Sequence, residues 1–269
     1  MKQGRFNNKV VLVTGAGSGI GRACAMRLAA EGASIISLDI NAENAEKTAT
    51  MAAALGQQCS FAVVDIADEA SVAGAIQIAM ERHEHIDVVV HCAGASGPLG
   101  GPIESDTQEF EKNIQINVMG SFYLSKYVLP QLIEQRGNMV LISSLAGITG
   151  GGPPTVGPLV AYTTSKHAVI GMARSMAYRH GVDGVRVNVV CPGSIETNMT
   201  SAVAEMSPMY KSLVAEATPL LRWGQAEEVA AAVAFLASED ASFVNADVMV
   251  VDGGYINSQG KVYPRFDPT

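Results

Sequence analysis

A tyrosine and a lysine stand four positions apart in the segment AYTTSKHA, residues 161–168. Of the seven tyrosines in the chain, only Tyr162 has a lysine four residues later, Lys166. On a helix this spacing places both side chains on one face, either as a solvated surface pair or as a proton-transfer device. A tyrosine that acts as a base at neutral pH needs its pKa lowered by roughly 3 units, or about 4 kcal/mol, from its usual value near 10. A neighbouring ammonium lowers the pKa in that direction.

A glycine-rich turn, VTGAGSGIGRA at residues 13–23, follows the first predicted strand and opens the first predicted helix. Gly15, Gly19 and Gly21 permit a tight turn and the close approach of backbone to a pyrophosphate. The phosphates would lie at the positive end of the helix. Glycine turns also occur in α/β proteins that bind no dinucleotide. The position of this turn after strand one is therefore stronger evidence for a dinucleotide site than the glycines themselves.

Asp39 ends the second predicted strand, 18 residues after Gly21. A carboxylate at this place accepts hydrogen bonds from both ribose hydroxyls of an adenosine. It would repel a 2′-phosphate about 4 Å away by several kcal/mol, and neither Ser18 nor Ile40 offers a compensating cation. The sequence therefore predicts NAD rather than NADP as the cofactor.

Short β-branched runs alternate along the chain with longer alanine-rich stretches of helical pattern. Nearly continuous apolar runs are typical of strands that helices cover on both faces, as in parallel sheets. The alternation predicts an α/β, doubly wound (Rossmann) fold in a single domain over residues 1–269, with a seven-stranded, mostly parallel sheet. The predicted strands are residues 10–14, 34–39, 60–65, 87–91, 138–143, 185–190 and 247–252.

Two segments interrupt this alternation, and both follow predicted strands. Residues 147–158, GITGGGPPTVGP, are too rich in glycine and proline for a helix or a central strand. Residues 196–224 contain Met199, Met206 and Met209, which predict a mobile apolar lid, although ordinary helix packing explains the same methionines. Because ligands bind beyond the carboxyl ends of strands in such sheets, both segments are placed to wall a pocket.

The composition argues against several classes of protein. The 269 residues are 48 % hydrophobic and 16 % charged, which is typical of a packed globule. A net charge of −8 without a basic run disfavours nucleic acid as a partner and gives no reason to expect binding to an anionic membrane. No apolar stretch approaches the roughly 20 residues that span a bilayer. The histidines other than His91 share no ligand spacing with carboxylates or cysteines. His83 and His85, on either side of Glu84, could hold a surface metal, but a solvated helix end is favoured, so no metal site is predicted.

The four cysteines, Cys24, Cys59, Cys92 and Cys191, lie far apart and have no CxxC spacing. Small buried side chains are their default interpretation, and the pattern fits a reducing cytosol. The first 15 residues enter a short strand that ends at a glycine cluster, so no signal peptide is recognised. We therefore expect a cytoplasmic protein.

Seven motifs occur in the order seen in short-chain dehydrogenase/reductases and extend over nearly the whole chain. The chain therefore resembles this family. The motifs are TGAGSGIG (14–21), CAG (92–94), INVMG (116–120), ISSLAG (142–147), YTTSK (162–166), CPGSIET (191–197) and VDGG (251–254).

The resemblance implies a catalytic tetrad. Tyr162 is implied to be the general acid/base that exchanges a proton with the substrate oxygen, and Lys166 also to hold the nicotinamide ribose. Ser144 matches the family residue that hydrogen-bonds the substrate oxygen as negative charge develops there. Asn117, in a predicted helix, is implied to perturb that helix and to hold a water that links Lys166 to solvent. Taken singly, each of these residues also has a structural explanation. Tyr162 and Lys166 could be a solvated pair on a helix, Ser144 part of a turn at a strand end, and Asn117 a polar residue on a helix face.

The resemblance also implies contacts with the cofactor. Ile195 and Thr197 match positions that contact the nicotinamide carboxamide, and Asp65 and Ile66 match positions that flank the adenine. The expected NAD-binding residues are Gly15, Ser18, Gly19, Ile20, Asp39, Asp65, Ile66, Cys92, Gly94, Tyr162, Lys166, Ile195 and Thr197.

Two features depart from the family pattern. The family usually has two asparagines where this chain has His91 and Cys92, and the first of them supports the sheet and the catalytic helix. An exposed His91 would titrate near pH 6.5, but a buried, hydrogen-bonded role is favoured. The segment between Ser144 and Tyr162 is longer than usual. It is interpreted as a specificity loop, with a tolerated surface insertion as the alternative.

The prediction is an NAD-dependent oxidoreductase that interconverts a secondary alcohol and a ketone. A catalytically silent NAD-binding regulatory subunit of the same fold and a glycine-loop methyltransferase are the alternatives. The methionines, Leu220 and Trp223 suggest an apolar wall, and the glycine-rich loop offers backbone donors, for a sugar, polyol, cyclic or aromatic alcohol. The family also implies a homotetramer, built through the helices that carry Asn117 and Tyr162 and through the C-terminal extension, residues 256–269.

Overall fold

The computed structural model describes residues 4–151, 159–201 and 208–258. Its strands are β1 (Val10–Thr14), β2 (Ser34–Asp39), β3 (Ser60–Val63), β4 (Val88–His91), β5 (Asn138–Ile142), β6 (Arg186–Pro192), β7 (Ile195–Glu196), β8 (Gly224–Gln225) and β9 (Val248–Val251). Seven of them form one sheet in the order β3-β2-β1-β4-β5-β6-β9, and β7 pairs with β8 in a small second sheet. Every neighbouring pair in the large sheet is parallel, which confirms the predicted doubly wound α/β fold.

Helices cover both faces of this sheet. One face carries α1, α2 and α8, and the other carries α3, α5 and α6. The helices are α1 (Gly19–Ala30), α2 (Ala42–Ala53), α3 (Glu69–Arg82), α4 (Thr107–Ile114), α5 (Gly120–Gln135), α6 (Val160–His180), α7 (Pro208–Ala217), α8 (Ala226–Ala237) and α9 (Tyr255–Ser258).

The central strands are apolar throughout because each has a helical layer on both sides. In β1, Val10 and Leu12 point into the core under α3 and α5, whereas Val11 and Val13 point into the core under α1 and α8. All four side chains are buried. This two-residue period, with both faces apolar, is what the continuous hydrophobic runs of the sequence predict.

The observed strands differ from the predicted ones mainly at their ends. β3 ends at Val63 instead of residue 65, so Asp65 and Ile66 leave the sheet and belong to the loop above it. β6 continues to Pro192. The sheet is parallel throughout, where a mostly parallel sheet was predicted. The short pair β7–β8 was not predicted, because two-residue strands carry no periodic signal.

The predicted loop, lid and C-terminal extension each fall partly outside the described residues. The residues outside the description are 1–3, 152–158, 202–207 and 259–269. Among the residues that are described, none of the helices has the length and apolarity needed to cross a membrane. The same residues contain no cluster of three or more potential metal ligands.

Candidate active site

A cavity of about 440 Å³ lies above the carboxyl ends of the strands. Its walls include Gly15, Asp39, Cys92, Ser143 and Gly193, which end or directly follow β1, β2, β4, β5 and β6. The strand order changes direction between β1 and β4, and this switch point is where doubly wound sheets bind their ligands.

The cavity brings together nearly all the site residues predicted from the sequence. Every predicted cofactor-binding residue lines it, and so does Ser144. Asn117 is the exception, since it lies behind the wall and is buried. Further lining residues that the sequence analysis did not single out are Val64, Ala93, Ala95, Ile116, Ile142, Ser143, Asn198 and Thr200.

The turn between β1 and α1 depends on glycine at two positions. Gly15 has a φ of +62°, a left-handed conformation that strains other residues. A Cβ on Gly21 would lie 2.0 Å from the carbonyl oxygen of Gly15. The first turn of α1 therefore packs directly on the loop, and the helix begins at Gly19 with its free N–H groups facing the cavity.

We expect Gly21→Ala to abolish nucleotide binding and to lower the stability of the fold by more than about 2 kcal/mol, the usual cost of overpacking a rigid contact. Gly74→Ala is the matched control, because Gly74 lies in the middle of α3 and a Cβ added there would meet no other atom within 4 Å. That change should stabilise the protein by up to about 1 kcal/mol through helix propensity. Urea unfolding and nucleotide titration measure both effects, and equal behaviour of the two variants would contradict the prediction.

The Asp39 carboxylate is fixed at the end of β2 by two backbone donors. Its Oδ2 accepts from the N–H of Gly17 at 2.8 Å, and its Oδ1 accepts from the N–H of Asn41 at 2.9 Å. A cation that the sequence analysis did not consider lies nearby. Arg22 donates to the carbonyl oxygen of Gly17 and, at 2.9 Å, to the hydroxyl of Thr48. The guanidinium is thus engaged with the loop, and Asp39 presents its charge to the cavity.

Tyr162 and Ser144 meet in the wall of the cavity. Tyr162 lies in the first turn of α6, and Ser144 follows β5 and caps a short 3-10 turn at Leu145–Gly147. The two side chains are hydrogen-bonded, which lowers the pKa of the tyrosine, but burial raises that pKa by more. The net direction in the protein alone is upward, opposite to the effect expected from the lysine's charge together with a bound cationic nicotinamide. Desolvation of a buried phenolate outweighs the stabilising contacts.

Lys166 is buried beneath Tyr162, with 6 % of its surface exposed. Its Nζ lies 5.6 Å from the centroid of the Tyr162 ring and donates to the carbonyl oxygen of Ile142 at 3.0 Å. Burial lowers the pKa of Lys166 to about 8. Among the residues described, no carboxylate compensates this ammonium. The protein therefore holds a cation under the phenol at a cost in stability.

Replacing Lys166 by methionine should stabilise the fold and abolish activity, as expected where function and stability conflict. The lowered pKa of Lys166, about 8 instead of 10.5, corresponds to a gain of about 3 kcal/mol in the variant's free energy of unfolding. The contribution of the lost hydrogen bond is subtracted from this gain. Because the folded pKa is the lower one, the gain should be complete below pH 8 and vanish as the pH rises towards 10.5. Urea unfolding at pH 7 and pH 10 measures it. Lys47→Met, on the exposed face of α2, should change stability by less than about 0.5 kcal/mol.

Asn117 lies in a π-helical segment, Gln115–Met119, that joins α4 to α5. The helix is therefore disturbed at Asn117, as the resemblance implied. The side chain accepts from the N–H of Ala95 at 2.8 Å, and donates to the carbonyl oxygen of Ala95 and to the Ser165 hydroxyl, each at 2.9 Å. Ser165 in turn donates to the carbonyl oxygen of Tyr162 at 2.8 Å. Asn117 thus braces the first turn of α6 from behind, through a serine that the sequence analysis overlooked.

His91 has the buried, hydrogen-bonded role that was favoured. It is 2 % exposed. Its Nδ1 lies 2.7 Å from the Thr14 hydroxyl and its Nε2 lies 2.9 Å from the Ser121 hydroxyl. Burial, with a smaller contribution from the Lys166 charge, lowers the pKa of His91 to about 3. The ring is therefore neutral at physiological pH.

The predicted apolar wall is only partly correct. Met199 lines the cavity, but Trp223 does not belong to the described lining. Trp223 is buried against Tyr210 of α7, with the rings edge to face at 5.7 Å, and its Nε1 donates to the carbonyl oxygen of Lys211 at 3.0 Å. Leu220 is 62 % exposed. The tryptophan anchors α7, because its indole N–H finds a partner there.

A parallel sheet with a glycine turn, a fixed acidic side chain and a tyrosine, serine and lysine around one cavity defines a Rossmann-fold oxidoreductase. A sequence model of the family described as "Enoyl-(Acyl carrier protein) reductase" matches residues 15–256. The chain belongs to the short-chain dehydrogenase/reductase family. Membership in this family implies a nicotinamide cofactor.

Characterised relatives match along almost their whole length. Levodione reductase of Leifsonia aquatica is 40 % identical over 259 residues, which are 93 % of this chain and 95 % of the relative. The meso-2,3-butanediol dehydrogenase of Serratia marcescens is 37 % identical over 259 residues, which are 96 % of this chain and 98 % of the relative. A crystal structure of levodione reductase superposes with a TM-score of 0.87 at 35 % identity and covers 94 % of this chain and 99 % of that one.

Proposed function

We propose that the protein is an NAD-dependent oxidoreductase that interconverts a secondary alcohol and a ketone. The observation that carries the proposal is the meeting of Tyr162, Ser144 and Lys166 in the same cavity as the glycine turn and Asp39. The names of the two relatives, one a reductase and one a dehydrogenase of a butanediol, support this class of reaction.

The residues present fit a nicotinamide adenine dinucleotide. Gly15 and Gly21 line the cavity and let the loop pack closely against its neighbours there. The start of α1 offers N–H donors to phosphate oxygens. Asp39 offers carboxylate oxygens where ribose hydroxyls would lie, and its charge disfavours a 2′-phosphate. Such a dinucleotide, when bound, supplies or accepts the hydride.

The chain's own residues handle the proton. Because its pKa is raised, Tyr162 is a protonated phenol at neutral pH and can donate to the oxygen of a ketone. The Ser144 hydroxyl, which is hydrogen-bonded to the phenol, donates to the same oxygen as negative charge develops on it. The Lys166 ammonium then stabilises the phenolate that remains. In the reverse direction the phenolate accepts the proton of the alcohol, so oxidation should accelerate as the pH rises.

The substrate class is inferred from the cavity wall near these groups. Ile142, Pro192 and Met199 give that wall an apolar character, which suits the carbon skeleton of a small polyol or of a cyclic or aromatic alcohol. A sugar remains within the proposed class, because Ser143, Ser144 and Asn198 add polar groups to the lining. NADH absorbance over a panel of these alcohols and the matching ketones tests the proposal. No turnover with any of them, despite tight NAD binding, would favour a silent NAD-binding subunit.

We further propose a cytoplasmic homotetramer assembled through α5 and α6. Phe122 on α5 and Tyr178 on α6 are apolar side chains with 47 % and 90 % of their surface exposed, which supports a contact between copies of the chain. The four cysteines are free thiols, which supports a reducing compartment. Light scattering of the wild type and of Tyr178→Asp tests the assembly, and the proposal predicts a smaller mass for the variant.

The roles of the segments around the cavity are also proposals. Residues 196–224 are proposed to form a lid over the substrate, since Met199 lines the cavity. Residues 256–269 are proposed as a C-terminal extension of the single domain. Limited proteolysis with and without NAD and substrate tests the lid, because closure should protect this segment from cleavage.

A further inference from the structure

The hydrogen bonds around His91 form a continuous chain from β1 to the π-helical segment. His91 and Thr14 are register partners at the ends of β4 and β1, and the Thr14 hydroxyl lies 2.7 Å from Nδ1. Nε2 lies 2.9 Å from the Ser121 hydroxyl. Ser121 then donates to the backbone carbonyl oxygen of Asn117 at 2.6 Å.

The acceptor at the end of this series of hydrogen bonds, the carbonyl oxygen of Asn117, determines which group donates in each of them. A carbonyl oxygen accepts only, so the single hydroxyl proton of Ser121 goes to Asn117. Ser121 must therefore accept from an N–H at Nε2 of His91. Nδ1 is then unprotonated and accepts the hydroxyl proton of Thr14, whose oxygen accepts from the N–H of Ala93 at 3.2 Å. The chain is satisfied by one neutral tautomer of the imidazole.

The surroundings of His91 hold the ring in this neutral state. The neighbours from β1 and α5 that bond it are hydroxyls. Among the residues that the structure describes, the charged group that acts on the ring is the Lys166 ammonium of α6. Burial and this positive charge both oppose a second proton. A neutral donor and acceptor is thus built into the sheet directly behind the cavity.

We infer that His91 is a positioning residue for proton transfer, which holds the π-helical segment in place through Ser121. The Asn117 side chain carried by this segment braces Ser165, and Ser165 bonds the backbone of Tyr162. The chain of contacts therefore runs from the end of β1 to the first turn of α6. This inference rests on the proposed function, because Tyr162 is the proton-transfer group only if that proposal holds.

The kinetic test compares His91→Phe, which keeps a planar ring without hydrogen bonds, with His91→Asn, which keeps one donor and one acceptor. His91→Phe should lower kcat for ketone reduction by up to about 100-fold, the loss that a misplacement of about 1 Å causes. KM for the ketone and Kd for NAD should change by less than about 3-fold, since His91 is buried and does not line the cavity. His91→Asn should recover most of the activity. Equal kcat for His91→Phe and the wild type would overturn the inference.

A double-mutant cycle with Ser121→Ala tests whether His91 acts through the hydrogen bonds of Ser121. Because both side chains act through the carbonyl of Asn117, the double variant His91→Phe/Ser121→Ala should lose no more activity than His91→Phe alone. Additive losses would show that the two residues act separately and would contradict the inference. If His91→Phe does not fold, Ser121→Ala alone tests the hydrogen-bond chain. It should lower kcat for ketone reduction without a comparable change in KM, and an unchanged kcat would contradict the inference.

Nuclear magnetic resonance of the ¹⁵N-labelled histidine rings separates this inference from the proposed function, because it needs no substrate. The ring of His91 should show a protected N–H at Nε2 and an unprotonated Nδ1, unchanged between pH 5 and pH 8. A proton at Nδ1, or titration in this range, would overturn the inference even in an active enzyme. If the predicted tautomer were found in a protein that turns over no alcohol, the hydrogen-bond arrangement around His91 would stand and the proposed function would be refuted.

Discussion

Replacing Tyr162 by phenylalanine is expected to lower kcat for ketone reduction by about 10³-fold, within the range usual for loss of a general acid. Phenylalanine fills the same space in the first turn of α6 but has no proton to give. The Ser144 hydroxyl and the Lys166 ammonium remain, so some stabilisation of the substrate oxygen persists. NAD affinity should change by less than about 3-fold, because the glycine turn and Asp39 are untouched. Steady-state kinetics and NAD titration measure the two quantities.

Tyr178→Phe is the matched control for this prediction. Tyr178 lies on the same helix, but its side chain is 90 % exposed and remote from the cavity lining. Its loss of a hydroxyl should leave kcat unchanged. If Tyr162→Phe kept more than a tenth of the wild-type kcat, the assignment of the proton donor would have to be abandoned.

Asp39→Asn should shift the ratio of kcat/KM for NADP to kcat/KM for NAD by about 10²- to 10³-fold towards NADP. The substitution keeps an acceptor oxygen for the N–H of Gly17, gives up the acceptor for the N–H of Asn41, and removes the negative charge. Two unit charges about 4 Å apart at an intermediate dielectric interact by about 4 kcal/mol, which is close to a factor of 10³. Arg22 bonds the carbonyl of Gly17, the residue whose N–H bonds position 39. In the variant it would leave a net positive charge near that position, which favours a 2′-phosphate.

Glu46→Gln provides the control for charge, because it removes one negative charge from the exposed face of α2. Its effect on the ratio should be less than about 2-fold at physiological ionic strength, where exposed charges are screened. An unchanged preference in Asp39→Asn would mean that the carboxylate does not face the adenosine ribose. The residue that binds the adenosine ribose would then have to be sought elsewhere around the glycine turn.

The fold could be predicted from the sequence because its signal is local. The apolar runs of β1 and β5 are buried on both sides, and that burial requires the hydrophobic pattern that the sequence shows. The ends of the strands have a weaker local signal, as in β3, which ends at Val63 so that Asp65 lies in the loop. There the N–H of Asp65 bonds the Ser71 hydroxyl of α3 instead of a neighbouring strand, and such a contact has no local signature. The same holds for the short strands β7 and β8.

The lining of the site could be predicted from motifs, but its interactions could not. The order of the motifs identified Ser144, Tyr162 and Lys166, whereas the buried contacts behind them join residues far apart in the chain. Ser165 is bonded by Asn117, 48 positions away, and no spacing in the sequence indicates this pair. The direction of the pKa shift of Tyr162 also depends on burial in the folded state. Local sequence describes the charge of Lys166 but not the desolvation of the phenol.

The π-helical segment has one more consequence, for the angular orientation of α5. Each residue advances an α-helix by about 100°, and a π turn admits one extra residue without breaking the helix. The buried stripe of α5 contains Ser121, Leu124, Val128 and Leu132, and it faces the sheet only because the extra residue has turned it there. A deletion of one residue within Gln115–Met119 would rotate that stripe by about a quarter turn towards solvent. The segment that carries Asn117 is therefore also the element that sets which side of the next helix becomes core.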